Sequence, residues 1–329
     1  MLPALWAKGA DVVEIVEWAR IAKLLPNVDV VEAVARAFRL YSEGCAVIPP
    51  VGELQFADPP GDVHIKYGYL TGGDYYVVKI ASGFYQNPSL GLSSCMGLML
   101  LFEQRTGAPA AVLLDEGRLT DIRTGAAGAV IARVFAPPDV SCIGILGTGI
   151  QAREQARQLL GVMSCRKLVA WGRTEEKLAE YVSEMRALGY DARAAHDPQE
   201  VAALAQFIVT TTPSREALLE AAWIRPGTHI TAVGSDIPEK QELDAAILSK
   251  ATWVVADSMS QCLLRGEIHH AIAAGTLDAS RVTELGAWLG GRPPGVRRAD
   301  DISVADLTGV AVQDLAIATA VLRAHRATG

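Results

Sequence analysis

The sequence is poor in cysteine, has no run of basic residues and has no long uncharged apolar stretch. Its five cysteines are widely scattered without a C-x-x-C pair, so neither a disulfide scaffold nor a zinc site is indicated. No five Lys or Arg residues are consecutive and the net charge is −7, which argues against a nucleic-acid-binding surface. Charged residues interrupt the first apolar stretches, so we expect neither a signal peptide nor a membrane span. These features predict a soluble protein of the reducing cytoplasm.

What the sequence does contain is enough apolar material for two folded domains. Of its 329 residues, 50% are hydrophobic and 20% are charged, a composition too apolar for a disordered chain. Residues 1–44 are predicted to be helical. Between Asp29 and Gly44 the apolar residues recur at steps of three and four, with Asp29 as a cap and Gly44 as the stop.

A different pattern follows, in which short apolar runs are separated by turn residues. Short connections favour antiparallel pairing, so we expect an antiparallel sheet in the same domain as the first helices. The predicted strands are Val63–Leu70, Tyr75–Ala81, Gly97–Phe102 and Ala110–Asp115.

From about Asp139 onward, short apolar runs alternate with helix-length segments. This alternation indicates βαβ units and a parallel sheet. The predicted strands are Cys142–Leu146, Leu168–Trp171, Phe207–Thr210, His229–Val233, Trp253–Ala256 and Ile302–Val304. The terminal segment Gly309–His325 is again helical, and we expect it to pack on the first domain.

The first of these βαβ units contains the loop G-T-G-I-Q-A at 147–152, a G-x-G-x-x-A pattern between a strand and a helix. Gly147 permits a tight turn, and Gly149 lets the backbone approach a pyrophosphate. Ala152 keeps the helix close to the sheet. The helix N-terminus, with Ile150 and Gln151, supplies amide donors to a phosphate. The loop therefore predicts dinucleotide binding; an ordinary glycine turn is the alternative.

These patterns together predict an α/β chain of two domains. Residues 129–308 are expected to form a Rossmann-type parallel-sheet domain that binds a dinucleotide. Residues 1–128 and 309–329 are expected to form an α+β domain with an antiparallel sheet.

The end of the second predicted strand bears on the choice of cofactor. An acidic residue there commonly binds the ribose 2′-hydroxyl of NAD, but Lys167–Trp171 runs into Gly172, Arg173 and Thr174. Arg173 stands where a 2′-phosphate needs a cation, which favours NADP over NAD. The alternative is that Arg173 is a solvated residue at the start of a helix.

Three cations of the first domain are candidates for binding an anionic substrate. Alternation places Lys79 inside an apolar strand, on the face of Val77. A buried lysine needs a partner or a lowered pKa, although an edge-strand lysine that reaches solvent is the alternative. Lys66, thirteen residues earlier, can face the same cleft. Arg123 opens a helix rich in small residues and can hold a carboxylate or form an interdomain salt bridge.

In the parallel domain, polar residues follow two strands at their carboxyl ends, where open α/β sheets bind ligands. Val233, Gly234, Ser235 and Asp236 follow one strand, and Thr211 lies at the end of the preceding one. Asp236 is a candidate general base or ammonium ligand, with a helix cap as the alternative. No spaced histidine set is present, so no metal site is predicted.

Six stretches taken together resemble the ornithine cyclodeaminase/μ-crystallin family. They lie in order along nearly the whole chain: V-V-K-I-A-S-G-F (77–84), G-L-M-L-L-F (97–102), L-T-D-I-R-T-G-A-A-G-A (119–129), G-I-L-G-T-G-I-Q-A (144–152), A-V-G-S-D-I-P-E-K-Q-E-L (232–243) and D-L-T-G-V-A-V-Q-D (306–314). The resemblance implies a homodimer in which the first domain binds substrate and dimerises. It also implies an NAD(P)-dependent enzyme acting on a small amino or imino acid.

The resemblance also assigns roles to individual residues. Lys79 corresponds to the lysine near the reacting carbon, and Asp236 corresponds to the catalytic carboxylate. Arg123 corresponds to an arginine between the substrate carboxylate and the cofactor. Hydroxyls near the nicotinamide correspond to Ser93 and Ser94. Thr308 falls in a segment that closes over the dinucleotide.

Two departures from the family pattern affect the expected reaction. The family's carboxylate-binding arginine is missing, because no arginine lies between Arg39 and Arg105, and Lys66 is expected to complete the site with Lys79 and Arg123. Cyclodeaminases also carry a glutamate thirteen residues before the lysine. Lys66 occupies that position and would repel the side-chain amine of ornithine; Glu53 is a possible substitute.

Three functions follow from this pattern. The leading hypothesis is hydride transfer between a nicotinamide and the α-carbon of an amino acid or its imine, by a ketimine reductase or an amino-acid dehydrogenase. The rival is ornithine cyclodeamination, which yields proline and ammonia without net oxidation and requires NAD⁺. The third is a μ-crystallin-like protein that binds NADPH and a small ligand without turnover.

Overall fold

The computed structural model describes residues 13–84, 86–291 and 293–328. It divides into two compact units. Unit 1 comprises the chain up to Arg123 and from Val310 onward, and unit 2 comprises Thr124–Gly309. The sequence analysis places the corresponding boundaries after residues 128 and 308. No helix in the described part of the chain is both long and apolar enough to cross a bilayer.

The described part of unit 1 begins with a short strand and two helices, followed by a run of strands. These elements are β1 (Glu14–Glu17), α1 (Trp18–Leu24), α2 (Val30–Ser42), β2 (Ala46–Val47), β3 (Gly52–Ala57), β4 (Pro60–Leu70), β5 (Tyr75–Phe84), β6 (Cys95–Glu103), β7 (Pro109–Leu114) and the start of α3 (Arg118–Phe135). The strands form a seven-stranded sheet in the order β1-β7-β6-β5-β4-β2, with β3 also paired to β4. All pairs are antiparallel except β1 with β7.

The prediction that residues 1–44 are entirely helical is wrong. Residues 1–12 lie outside the described part, but Glu14–Glu17 is a strand that pairs in parallel with β7. Val16 is buried in this pairing, whereas Ile15 remains exposed. The amphipathic helix predicted after Asp29 is confirmed as α2, and the Asp29 carboxylate accepts the Glu32 N–H at 2.9 Å.

Unit 2 contains the remaining strands, all of them parallel. Its elements are β8 (Ile143–Leu146), α4 (Ile150–Leu159), β9 (Lys167–Trp171), α5 (Glu175–Ala187), β10 (Asp191–Ala194), α6 (Pro198–Leu204), β11 (Phe207–Thr210), β12 (His229–Ala232), α7 (Ala245–Lys250), β13 (Trp253–Ala256), α8 (Met259–Cys262), α9 (Gly266–Ala273), β14 (Val282–Glu284), α10 (Leu285–Trp288) and β15 (Ser303–Asp306). The sheet order is β10-β9-β8-β11-β12-β15-β13-β14, so the strand order reverses between β8 and β11. The predicted fold class is confirmed.

The chain then returns to unit 1 through helix α11 (Ala311–Ala327). This helix packs on α2 and on strands β4 and β5, as the sequence analysis predicts for the terminal segment. The unit-1 sheet therefore has one face covered by α11 and a second, outer face. Residues of the covered face, including Val77, Met99 and Leu101, are fully buried.

Candidate functional site

A group of charged side chains is buried in unit 1, and we call it the cation cluster. It consists of Lys66, Lys79, Arg123 and Asp314. Lys66 and Lys79 lie directly opposite each other on β4 and β5, so both project from the covered face of the sheet. Lys79 Nζ lies 3.3 Å from Asp314 Oδ2, and Arg123 Nε donates to Asp314 Oδ1 at 2.9 Å. Lys79 is therefore not a solvated edge-strand lysine.

The burial of this cluster shifts the ionisation of its members. Burial, opposed by the charge of Asp314, lowers the pKa of Lys79 to about 8. Burial alone would raise the pKa of Asp314, but Arg123, Lys79 and Lys66 outweigh it and hold that pKa below its ordinary value. Asp314 thus pairs directly with Lys79 and Arg123, and Lys66 adds a third positive charge to the cluster.

Arg123 is fixed from a second direction by Gln313. Its Nη1 donates to Gln313 Oε1 at 3.1 Å, and the same oxygen accepts the Val310 N–H at 2.7 Å. The ion pair of Arg123 with Asp314 lies within unit 1, so it is not the interdomain bridge considered from the sequence. The sequence analysis missed Asp314 and Gln313 as site residues, although both lie in the family stretch that ends in V-Q-D.

Next to Lys66 and Lys79, the covered face of the sheet carries two small residues and an aspartate. Ala81 pairs with Gly97, and Asp115 follows the end of β7 on the same face. Asp115 Oδ2 accepts the Leu119 N–H at 2.9 Å, while the buried Oδ1 has no hydrogen-bond partner. Burial raises the pKa of Asp115.

The two serines predicted to lie near a nicotinamide are in the loop that precedes β6. Ser93 and Ser94 are both solvent-accessible. Ser93 Oγ donates to the Cys95 carbonyl at 2.8 Å, and the Ser93 carbonyl accepts from Asn87 at 2.9 Å. These contacts order the loop locally.

The glycine loop of unit 2 has the backbone geometry predicted for dinucleotide binding. Gly147 adopts a φ of +115°, and a Cβ there would collide with Thr211 Oγ1. The Gly147 N–H donates to the Trp171 carbonyl at 2.8 Å, which ties the loop to β9. Gly149 is the N-cap of α4, and a Cβ there would project into open space. Open space at an α-helix N-terminus fits a bound pyrophosphate, next to the exposed Ile150 and the half-buried Gln151.

Arg173 and Thr174 follow β9 at its carboxyl end. Both are exposed, and Thr174 is the N-cap of α5 without a side-chain capping bond. The structure thus places an accessible guanidinium at the strand end where a ribose is usually recognised.

The segment that follows β12 contains the predicted carboxylate. The Asp236 side chain is 45% exposed, and its Oδ1 accepts from Lys240 Nζ at 2.7 Å. Ser235 Oγ donates to the Lys240 carbonyl. No helix begins at Asp236, so it does not act as the helix cap considered from the sequence.

A buried glutamate, which the sequence analysis missed, connects this segment to the end of β11. Glu242 Oε1 accepts the Thr212 N–H at 2.5 Å and the Thr212 hydroxyl at 2.7 Å. Its Oε2 accepts the Thr210 hydroxyl at 2.7 Å and the Gly234 N–H at 2.8 Å. A Cβ on Gly234 would lie 2.6 Å from this carboxyl group, so glycine is required there.

Two further predicted residues lie next to these contacts. Val233 is buried, and Thr211 Oγ1 donates to the Leu146 carbonyl at 3.1 Å.

Thr308 lies after β15 and is also buried. Its hydroxyl donates to Asp257 Oδ1 at 3.0 Å and accepts from Gln261 Nε2 at 3.2 Å. The next residue, Gly309, donates its N–H to Asp257 Oδ2 at 2.7 Å. Asp257 therefore holds the backbone at the point where the chain leaves unit 2.

With this geometry established, comparison with known proteins identifies the family. The model of the ornithine cyclodeaminase/mu-crystallin family matches residues 12–328. The chain belongs to the ornithine cyclodeaminase/mu-crystallin family. The family resemblance inferred from the six sequence stretches is thereby confirmed.

Members of the ornithine cyclodeaminase/mu-crystallin family match the chain nearly end to end. An uncharacterized cyclodeaminase of Sinorhizobium fredii is 41% identical over 89% of this chain and 89% of its own length. An archaeal alanine dehydrogenase, solved as a dimer with bound NAD, is 33% identical with a TM-score of 0.88, covering 96% of this chain and 97% of that one. The Δ1-pyrroline-2-carboxylate reductase of Thermococcus litoralis, solved with NADH and L-proline, is 27% identical with a TM-score of 0.89, covering 96% and 98%.

Proposed function

We propose that this protein is an NAD(P)-dependent oxidoreductase that transfers a hydride between the nicotinamide and the α-carbon of an amino acid or its imine. The observation that carries this proposal is the cation cluster of unit 1, where Lys66, Lys79 and Arg123 are buried together around Asp314. Buried cations with several donors favour an anionic ligand such as a substrate carboxylate. The related alanine dehydrogenase and pyrroline-2-carboxylate reductase support the same class of reaction.

In this mechanism the cluster binds and orients the substrate. Lys66 and Arg123 hold the carboxylate, and Lys79 adds a third positive charge next to the reacting carbon. A pKa of about 8 lets Lys79 be protonated at neutral pH and still able to exchange a proton. Fixing the carboxylate orients the α-carbon for hydride transfer.

Asp236 is the proposed acid–base group. Its exposed carboxylate can take a proton from the substrate ammonium group during oxidation, or give one to the amine formed during reduction. Lys240 Nζ, at 2.7 Å from Oδ1, holds the carboxylate in one orientation.

Unit 2 is the proposed dinucleotide-binding domain. Gly147, Gly149, Ile150 and Gln151 would hold the pyrophosphate, and Thr211, Val233, Gly234, Ser235 and Thr308 would line the rest of the unit-2 site. The nicotinamide supplies the hydride acceptor or donor. We propose NADP as the preferred cofactor, because Arg173 and Thr174 are exposed at the end of β9, where an acidic residue would select NAD.

Unit 1 is the proposed substrate-binding and dimerisation domain, and the protein is proposed to be a homodimer. The outer face of its sheet is apolar but exposed, as shown by Ile15, Tyr67, Met96 and Leu114. An apolar sheet face of this kind fits burial against a second copy. All five cysteines are free thiols, which fits the proposed cytoplasmic location.

Ornithine cyclodeamination is the second candidate, favoured by the related cyclodeaminase of Sinorhizobium fredii. That reaction requires an acidic group for the second amine of ornithine. Lys66 is buried at the position expected for that group, directly opposite Lys79, and its charge would repel the amine. Glu53, the alternative acid, is exposed on β3. We therefore place reduction or dehydrogenation ahead of cyclodeamination.

The test is an assay of the purified protein with NADPH or NADH and a panel of cyclic and linear imino acids, and in parallel with ornithine and NAD⁺. Consumption of the reduced cofactor supports the proposal. Ammonia and proline without a net absorbance change would instead identify a cyclodeaminase. No turnover with any substrate, despite cofactor binding, would identify a binding protein.

The assigned roles are tested with Lys79→Ala and Asp236→Ala. Each is expected to lower kcat/KM by roughly 10²–10⁴-fold, the range for losing an acid–base or orienting group. In the wild type, KM for the substrate should rise above about pH 8 as Lys79 loses its charge. Full turnover by either variant contradicts the role assigned to that residue.

A further inference from the structure

The Glu242 carboxylate is a densely hydrogen-bonded buried acid at the carboxyl ends of the unit-2 strands. It is completely buried. It accepts two backbone N–H groups and two hydroxyls at 2.5–2.8 Å, and all of these partners are neutral. Burial raises the pKa of this carboxyl, whereas the four donors oppose that shift and match the ionised form, which offers only acceptors.

The position of Glu242 relates to the two halves of a dinucleotide site. In a sheet of this order, ligands bind outside the carboxyl ends of the strands at the point where the strand order reverses. Here that point lies between β8 and β11. The ribose-recognition position at the end of β9 belongs to the adenosine half, so the nicotinamide half falls on the side of β11 and β12. Glu242 binds the chain at the ends of both of these strands, through Thr212 and Gly234.

A negative charge at this place distinguishes the two redox states of the cofactor. The oxidised nicotinamide ring carries one positive charge that the reduced ring lacks. A buried charge is poorly screened, so its field extends beyond the groups it touches. A neutral residue that held the two loops equally well would have no such effect.

We propose that Glu242 is a positioning residue whose negative charge makes the site bind the oxidised cofactor more tightly than the reduced one. This inference rests on the proposed nicotinamide cofactor. It adds an electrostatic preference that the loop hydrogen bonds alone do not supply. The backbone of residues 242 and 243 is itself held by Glu267, through bonds of 2.8 and 3.0 Å, so the carboxylate is fixed in place.

The experiment measures dissociation constants by calorimetry for three ligands and four proteins. The ligands are the oxidised and reduced forms of whichever cofactor the wild type binds more tightly, and ADP-ribose, which lacks nicotinamide. The proteins are the wild type, Glu242→Gln, Glu242→Asp and Thr210→Val. The Asp variant keeps the charge, and the Val variant removes one neutral hydrogen bond to the same carboxylate.

Glu242→Gln is expected to weaken binding of the oxidised cofactor by roughly tenfold more than binding of the reduced cofactor, because a nearby unscreened charge is lost. Glu242→Asp and Thr210→Val should retain the wild-type ratio even if all three ligands bind more weakly. Equal weakening of oxidised and reduced cofactor in Glu242→Gln, or an unchanged ratio, overturns the proposal. Failure of the wild type to bind any of the three ligands would instead contradict the proposed function.

Discussion

The two units bury charge in different ways. In unit 1 the cation cluster pairs ions with ions, since Lys79 and Arg123 meet the carboxylate of Asp314. In unit 2 the buried acids Glu242 and Glu267 are held by neutral donors, above all backbone N–H groups.

This difference separates two uses of buried charge. Buried ion pairs surrounded by further cations favour an anionic ligand, which is the role proposed for the cation cluster. Carboxylates bonded by backbone N–H groups fix loops, as Glu242 and Glu267 do. The described residues contain no group of three or more His, Cys, Asp or Glu side chains arranged to hold a metal ion.

The strongest test of the comparison neutralises the acid of the cation cluster. Asp314→Asn leaves Lys79 and Arg123 buried without a carboxylate, and we expect a loss of about 3–5 kcal/mol in the free energy of unfolding. The pKa of Lys79 should also fall below about 8, because Asp314 raises it. Urea denaturation measures the first effect, with Asp74→Asn as the control. Asp74 pairs with Arg323 on the surface, so that variant should cost about 1 kcal/mol or less. Equal losses in the two variants would show that the buried ion pair contributes no more to the free energy of unfolding than the surface pair.

A second test uses a buried group of unit 2 that is held neutral. His229 is fully buried between the Ser303 and Thr231 hydroxyls, and burial lowers its pKa well below the ordinary value of 6.5. The unfolded chain takes up this proton as the pH falls below 6.5, but the folded chain does not. The free energy of unfolding should therefore decrease by about 2 kcal/mol more between pH 7 and pH 5 than in His229→Gln.

The control for His229 is His196→Gln, which removes an exposed histidine. It should keep the wild-type pH dependence. If His229→Gln and the wild type lose stability in parallel below pH 6.5, then His229 is not the group responsible.

A third test neutralises an acid in unit 2. Glu267→Gln keeps the shape of the side chain and loses one acceptor, so we expect it to cost about 1–2 kcal/mol. Burial raises the pKa of Glu267 well above its ordinary value. Urea denaturation beside Asp314→Asn gives the direct contrast. A cost for Glu267→Gln as large as that for Asp314→Asn would remove the distinction between the two units.

The smallest expected effect concerns a cation that is exposed rather than buried. Arg173→Ala should weaken binding of NADP roughly three- to fivefold and leave NAD unaffected, because solvent screens an exposed charge. Titration with both cofactors measures the ratio. Arg193→Ala removes an arginine that pairs with Glu200 on the unit-2 surface and serves as the control. An unchanged ratio in Arg173→Ala would argue against the NADP preference.

Much of the fold could be predicted from local patterning. The runs Phe207–Thr210 and Trp253–Ala256 are strands with the predicted bounds, because completely buried parallel strands are continuously apolar. The strands that were missed lack this signal. In Asp191–Ala194, at a sheet edge, polar and apolar residues alternate, and Gly52–Ala57 is exposed along most of its length. Such strands form because a neighbouring strand offers backbone hydrogen bonds.

The sites were predicted less evenly. Lys79 could be found because one lysine in an apolar strand violates the local pattern. Asp314 could not, because a polar residue on a helix is ordinary until its partners are known. Arg123 lies 191 residues away from it in the chain. Glu242 was missed for the same reason. Its hydrogen-bond partners lie 8 residues away at Gly234, 30 at Thr212 and 32 at Thr210.

The sequence by itself determined the family, the parallel and antiparallel regions, the glycine loop and the candidate cations, because each is encoded in neighbouring residues. Only the tertiary structure decided which acid each cation meets and which loops a buried glutamate joins. Those pairings depend on groups distant in sequence being desolvated together, and desolvation is a property of the folded chain. The scarcity of cysteine and of basic runs excludes whole classes of protein, whereas the proposed chemistry depends on the position of a few buried charges.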